Sequence, residues 1–302
     1  MNRERMFRRG LSILTGLLLL CALILSSVAH TDAVGSRPDK APATTMPFEH
    51  AEQLVYEGEF SKLMLRGIKI AELRFTARRA PTVDSASTES ATTTSVSRKP
   101  GTNGDAPLVF VSDVQSRGWF RKLFGINFHY LVESTVEPSS HSILRTTKLD
   151  QQGERVRTSE AIFDRVQNKV AWVERDPRDP TRPPRVVNAP INGAAHDLIS
   201  VIYYLRTQTL TPGQSFALKV SDSGGVYDVP ATVFAEPKKM KSILGRVRVV
   251  RVGIDLFGKE RLVDREGTMS IWVTDDARHV PIRARISTDL GTLDITLKKM
   301  SR

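Results

Sequence analysis

Cysteine is almost absent: the 302-residue chain has one, Cys21, and it lies inside an apolar run. A disulfide framework is thereby excluded, and so is a thiolate metal site. Such a chain is indifferent to an oxidising compartment. Metal and nucleotide signatures are missing too. The histidines (His30, His50, His129, His141, His196, His279) include no pair at i and i+4 and no HExxH. Zinc therefore has no ready site, and no metal or cofactor is expected. There is no phosphate-cradling GxxxxGK[ST] or GxGxxG, and no GxSxG around Ser200.

Positive charge is plentiful. The net charge is +11, and the first thirty residues, with four Arg and one Glu, carry +3 of it. The remaining excess of about +8 is spread along the chain, without the aromatic-interleaved stripe of a nucleic-acid module. Nucleic acid is therefore not an expected partner. A solvated surface, with weak attraction to anionic lipid or envelope polymer, is the simpler reading.

Residues 1–30 read as a separate object. Arg3, Arg5, Arg8 and Arg9 precede the apolar run from Leu11 to Ala29, and Ser27 and Ala29 are small. That is the layout of a secretory signal. The run also borders on the length of a membrane span, so cleavage and retention as an anchor both remain open. The expected location is the periplasm, with membrane association if the segment is kept.

Residues 31–47 are polar and rich in Pro, Ala and Thr, and read as a flexible leader. Residues 81–107 have almost no large apolar side chain and read as a disordered insertion within a hairpin. Residues 48–300, apart from that insertion, read as one β domain. Alternating apolar and polar residues recur in EQLVYEGEF, IKIAELRFTARR, PLVFVSDVQS, NFHYLVESTVE and IRARIS. Asn168 marks one hairpin turn and Gly224-Gly225 another. The adjacent Val249 and Val250 break the alternation and predict a bulge. Ala194 to Gln208 has Leu198, Val201, Ile202 and Leu205 at helical spacing, with Asp197 early and Arg206 late. The pattern predicts a mainly β protein. A strongly curved antiparallel sheet or open β-barrel would hold one long helix on its concave face.

Four stretches, in order, carry a resemblance: PFEHAEQLVYEGEF, STVEPSSHSILRTTKLDQQGERVRTSEAIFD, DLISVIYYLRTQTLTPGQSF and WVTDDARHVPIRARISTDLGTLDITL. Together they resemble the DUF3108 family of exported bacterial proteins of unknown function, from about Pro47 to Lys299. The closing hairpins are also similar to those of LolA/LolB-like lipoprotein carriers. At Ile70-Ala71 the chain departs from the family's usual Ala-Gly. The resemblance implies an envelope location and a β-rich fold, and it implies no catalytic residues.

Three groups of residues are candidates for chemistry or binding. Asp275-Asp276-Ala277-Arg278 joins two alternating segments, so its carboxylates read as turn formers. A glycosidase needs carboxylates on facing walls. His196-Asp197 with Ser200 does not make a triad, because Asp197 and Ser200 share a helical face that His196 leaves. Asp197, Tyr203, Tyr204 and Arg206 are instead expected to tie helix to sheet. Trp119, Phe120, Leu123 and Phe124, flanked by Arg117, Arg121 and Lys122, form the densest aromatic stretch and are the candidate ligand or membrane contact.

The chain is thus expected to be a non-catalytic envelope protein that binds a lipid or other amphipathic ligand in a concave sheet. The expected partners are a lipid or envelope glycolipid and an envelope protein. A structural module without ligand is the alternative, and a cell-wall hydrolase is the third reading.

Overall fold

The computed structural model of the protein describes residues 51–80, 106–117, 127–235 and 238–301. It is built almost entirely of strands: β1 Gln53–Lys62, β2 Leu65–Arg79, β3 Leu108–Ser116, β4 Phe128–Val136, β5 Ile143–Gln152, β6 Arg155–Asp164, β7 Lys169–Arg175 and β8 Arg185–Pro190. After the short helix α1, Ser200–Leu205, come β9 Ser215–Asp222, β10 Gly225–Val233, β11 Lys238–Ser242, β12 Gly245–Ile254, β13 Gly267–Thr274, β14 Pro281–Thr288 and β15 Gly291–Ser301.

All fifteen strands belong to one sheet of order β8-β7-β6-β5-β4-β3-β2-β1-β15-β14-β13-β12-β10-β9, with β11 paired to β12. Almost every neighbour along this path is also a neighbour in sequence. The main exception is β1 with β15, where Gln53 lies opposite Ser301 and Ser61 opposite Thr292. Every ladder is antiparallel, as hairpin connections require.

Alternation sets which side chains face in. Along β1 the buried positions are Leu54, Tyr56, Gly58 and Phe60, while Val55, Glu57 and Glu59 are partly exposed. Gly58 lies opposite Ala71, with a notional Cβ 3.4 Å from that of Ala71, so two small residues let β1 and β2 pack closely. In β14, Ile282 is buried, while Arg283 and Arg285 both bond Asp294. Arg79 is opposite Leu108, so the chain between β2 and β3 leaves and returns at one point. Most of the predicted insertion, residues 81–105, lies outside the described residues.

The sheet does not close by a ladder between its edges β8 and β9. Instead the two edges meet across a seam. Ala195 accepts a hydrogen bond from Ile143 N–H at 3.0 Å, and His196 exchanges backbone hydrogen bonds with Lys219 and Ser221 on β9. At Gly224, in the β9–β10 turn with φ +84°, an added Cβ would lie 2.7 Å from Val187 Cβ on β8. Glycine there serves both the turn and the close approach.

Two expectations are corrected. The long helix predicted over Ala194 to Gln208 is six residues, Ser200–Leu205. Its front half is diverted because the backbone groups of Ala195 and His196 are used in sheet-like bonds across the seam. Its back half tightens into i→i−3 bonds, with Arg206 N–H on Tyr203 O and Thr207 N–H on Tyr204 O. Nor is there a bulge at Val249-Val250, since β12 pairs with β13 in unbroken register. Both valines are buried because the strand is covered on both faces there. Val249 packs with Val280 and Ile282, and Val250 packs with Val229 and Leu205.

Candidate functional site: the cavity beneath the short helix

α1 lies on the inner face of the sheet and touches both arms. Ile199 and Tyr203 pack with Phe110, Val132 and Val136 on one side. Val201 and Leu205 pack with Leu218, Val252 and Ile271 on the other. Full burial of a side chain such as Leu205 contributes about 2 kcal/mol. A six-residue helix would not persist alone in water, so this packing is what holds it.

The N-terminal end of α1 is organised by Asp197, which is buried. Its Oδ1 accepts from the backbone N–H groups of Ile199 (3.0 Å) and Ser200 (2.7 Å), and Ser200 Oγ accepts from Asp197 N–H at 2.9 Å. That is a reciprocal capping arrangement. Its Oδ2 accepts from Thr146 Oγ1 at 2.8 Å and from Ser134 Oγ. One carboxylate thus joins the helix to β4 and β5.

The C-terminal end is organised by Arg206, whose side chain is fully buried. Its guanidinium donates to Glu52 Oε1 at 2.5 Å and Oε2 at 3.2 Å, and its Nε donates to Arg278 O at 3.1 Å. His279 Nδ1 lies 3.0 Å from Arg206 O. Arg206 therefore joins the helix to the start of β1 and to the β13–β14 turn. Tyr203 stacks flat on Phe110, with centroids 4.0 Å apart and planes 5° from parallel. Burial pushes the Tyr203 phenol far above its ordinary range, so it stays neutral. Tyr204 stacks on His196 at 4.1 Å. Burial raises the Tyr204 phenol as well.

Beneath α1 is a cavity of about 80 Å³. Its walls include Leu54, Tyr56, Phe75, Ile202, Ile271 and Ile295, drawn from four strands and the helix. Tyr203 and Arg206 reach it, whereas Asp197 and Tyr204 do not. Three polar groups at its edge are engaged. Tyr56 Oη donates to Pro281 O at 2.8 Å, Arg206 holds Glu52, and Arg283 holds Asp294. Among the described residues, no group of three or more His, Cys, Asp or Glu is placed to share a metal ion.

Trp119, Phe120, Leu123 and Phe124 lie outside the described residues. Asp275 and Asp276 sit at the β13–β14 turn. Asp276 Oδ1 accepts from Thr274 Oγ1 at 2.7 Å and from Arg278 N–H at 3.1 Å, and Asp275 pairs with Arg248 at 3.1 Å. Partial burial would raise the Asp276 carboxyl, but the Thr274 and Arg278 bonds outweigh it and hold the group below its ordinary value.

Glu52 was missed in the sequence. It precedes Leu54, Tyr56, Gly58 and Phe60 at the same two-residue phase, so an acid at an inward position was readable there.

No curated protein matches the chain. One solved structure that it resembles is a β-barrel-like protein of a domain of unknown function, DUF1849, from Brucella abortus. The identity is 5%, with 83% of this chain and 97% of that chain covered and a TM-score of 0.46. The model of DUF3108, a family of proteins of unknown function, matches residues 82–298, beginning after β1 and β2. That is well over half of the chain, and the protein belongs to the DUF3108 family.

Proposed function

We propose that the protein is a non-catalytic binding protein of the cell envelope that takes up a small apolar group in the cavity beneath α1. The observation that carries this reading is the cavity itself: an apolar space, roofed by α1, at the centre of the sheet. Its size limits the ligand. An engineered cavity of about 150 Å³ holds one benzene ring. At about 80 Å³ this one suits a stretch of a few methylenes, so a single acyl segment fits and a whole lipid does not. The pairing of the surrounding charges supports binding over acid–base catalysis, which needs a titratable group poised to exchange a proton. The basic head and apolar run of residues 1–30 support export.

A second reading has its own observation. Most of the interior is filled by packed side chains in four buried clusters. A structural module that binds no small ligand is consistent with such a core.

Ala284→Leu, which extends a side chain into the cavity, separates the two. With a medium-chain fluorescent fatty acid as probe, the first reading expects saturable binding by the natural protein. The variant should bind at least ten-fold more weakly, with undiminished thermal stability. Equal binding by both proteins, or none by either, would favour the structural module.

A further inference from the structure

We propose that the β11–β12 hairpin is a docking surface for an anionic phospholipid bilayer. The inference does not depend on the cavity or its ligand.

β11 pairs only with β12, and β12 meets β13 only from Val249 onward. Residues 238–248 are therefore a two-stranded ribbon at the rim of the sheet. Lys238, Lys239, Lys241, Arg246 and Arg248 are all exposed on it, and the sequence KKMKSILGRVR contains no acid. Two rungs oppose like charges directly, Lys239 with Arg248 and Lys241 with Arg246. Such pairs weaken a ladder. Among the described residues one carboxylate answers them, Asp275 on Arg248. The isolated fold gains nothing from this arrangement, whereas an anionic surface would neutralise it.

The rest of the ribbon fits a bilayer in particular. Met240, Leu244 and Val247 pack against the core cluster and fix the ribbon to the body. At the tip Ile243 is 47% exposed, a branched aliphatic between cations. Cations level with head groups and an aliphatic tip below them match the layering of a membrane interface. A platform for single-stranded nucleic acid would present aromatic side chains for base stacking, and residues 238–248 contain none.

The opposite end of the sheet supplies an internal control. β13 spans the distance: Gly267 is opposite Thr288, near the β14–β15 turn, and Thr274 is opposite Val249, beside the ribbon. The β1–β2 turn lies at the Gly267 end, because Ser61 is opposite Thr292. There Leu63 and Met64 are 86% and 98% exposed, the cations beside them in sequence are Lys62 and Arg66, and Arg265 at the same end is paired with Asp289. Lys62 Nζ reaches Asp289 O at 3.4 Å.

The test uses the full chain carrying Cys21→Ser, with an environment-sensitive fluorophore on Ser242→Cys. The local label reads the hairpin whatever residues 11–29 do. Phosphatidylcholine vesicles with and without phosphatidylglycerol are the probes. The expected result is a blue shift on anionic vesicles alone, reversed by salt, with a label on Met64→Cys silent. Lys239→Gln/Lys241→Gln/Arg246→Gln should weaken the response about 100-fold. Its melting temperature should be equal or higher, since like-charge rungs are relieved. An equal response on neutral vesicles, no response on either, or unchanged binding by the triple variant would overturn the proposal. So would a response at the Met64 label in place of the Ser242 label, or a response to a nucleic-acid oligomer but not to vesicles.

Discussion

At its N-terminal end α1 is held by an anion among neutral donors, and at its C-terminal end by a cation against an anion. Asp197 takes two backbone N–H groups and two hydroxyls, and no cation touches it among the contacts described. Arg206 and Glu52 neutralise each other in a place where neither side chain meets water. The two ends bury charge by different means, and the difference predicts how each fails. Dispersed dipoles, once their anion is removed, become several neutral groups with a modest desolvation penalty each. A guanidinium without its carboxylate remains charged at any accessible pH and has no way to neutralise itself.

The largest expected effect follows from that last point. Glu52→Ala strands Arg206 in the interior and should cost about 3–5 kcal/mol, measured by denaturant unfolding. Replacing both partners, as Glu52→Met with Arg206→Met, should return most of that loss. If the double variant is as unstable as the single one, the pair is specifying geometry rather than only cancelling charge, and the comparison fails at this end.

The second effect is acid sensitivity at the other end. His196, next to Asp197, is held down to a pKa of about 4 from an ordinary 6.5, first by burial and then by nearby His141. Between those two values the unfolded chain binds a proton that the folded chain refuses. Stability therefore falls as pH drops through this window and levels off below about 4. The loss should reach roughly 3 kcal/mol. His196→Gln should flatten the curve between pH 6.5 and 4; an unchanged slope in that variant would assign the acid loss to other groups.

The smallest of the three is Asp197→Ala. It removes the cap and leaves Ser134 and Thr146 hydroxyls short of an acceptor, for about 2 kcal/mol. Asp197→Asn keeps a capping oxygen and should cost less. A loss as large as that of Glu52→Ala would mean that the two ends are not different in kind.

Much of the fold was legible because a half-buried strand writes its burial into every second residue. LVYEGEF shows this directly, and Gly224-Gly225 marked the β9–β10 turn because few other residues adopt the backbone it needs. The length of α1 was not legible. Leu198, Val201, Ile202 and Leu205 have helical spacing, but the backbone bonds that divert Ala195 and His196 come from Ile143 and β9, which local periodicity does not register. At Val249-Val250 the broken alternation reflected burial on both faces, a tertiary fact that imitates a bulge. The cavity was invisible for the same reason, since its walls come from strands far apart in sequence. Glu52 is different: its inward phase was written in the alternation of β1, and only its partner Arg206 was hidden.

The pairing of β1 with β15 has a consequence for how the chain is assembled in time. Joined end to end at that ladder, the strands would follow one another around the sheet almost without interruption, with the segment through α1 spanning the open seam. The eight strands from β1 to β8 can therefore zip up as successive hairpins as soon as they emerge during synthesis. The sheet is not continuous until its last eleven residues, Gly291–Ser301, arrive beside its first strand. That pairing closes a loop over almost the whole domain and is the most non-local of the ladders. Until it happens, β1 is an open edge, with its row of unpaired backbone groups available to any other extended chain nearby.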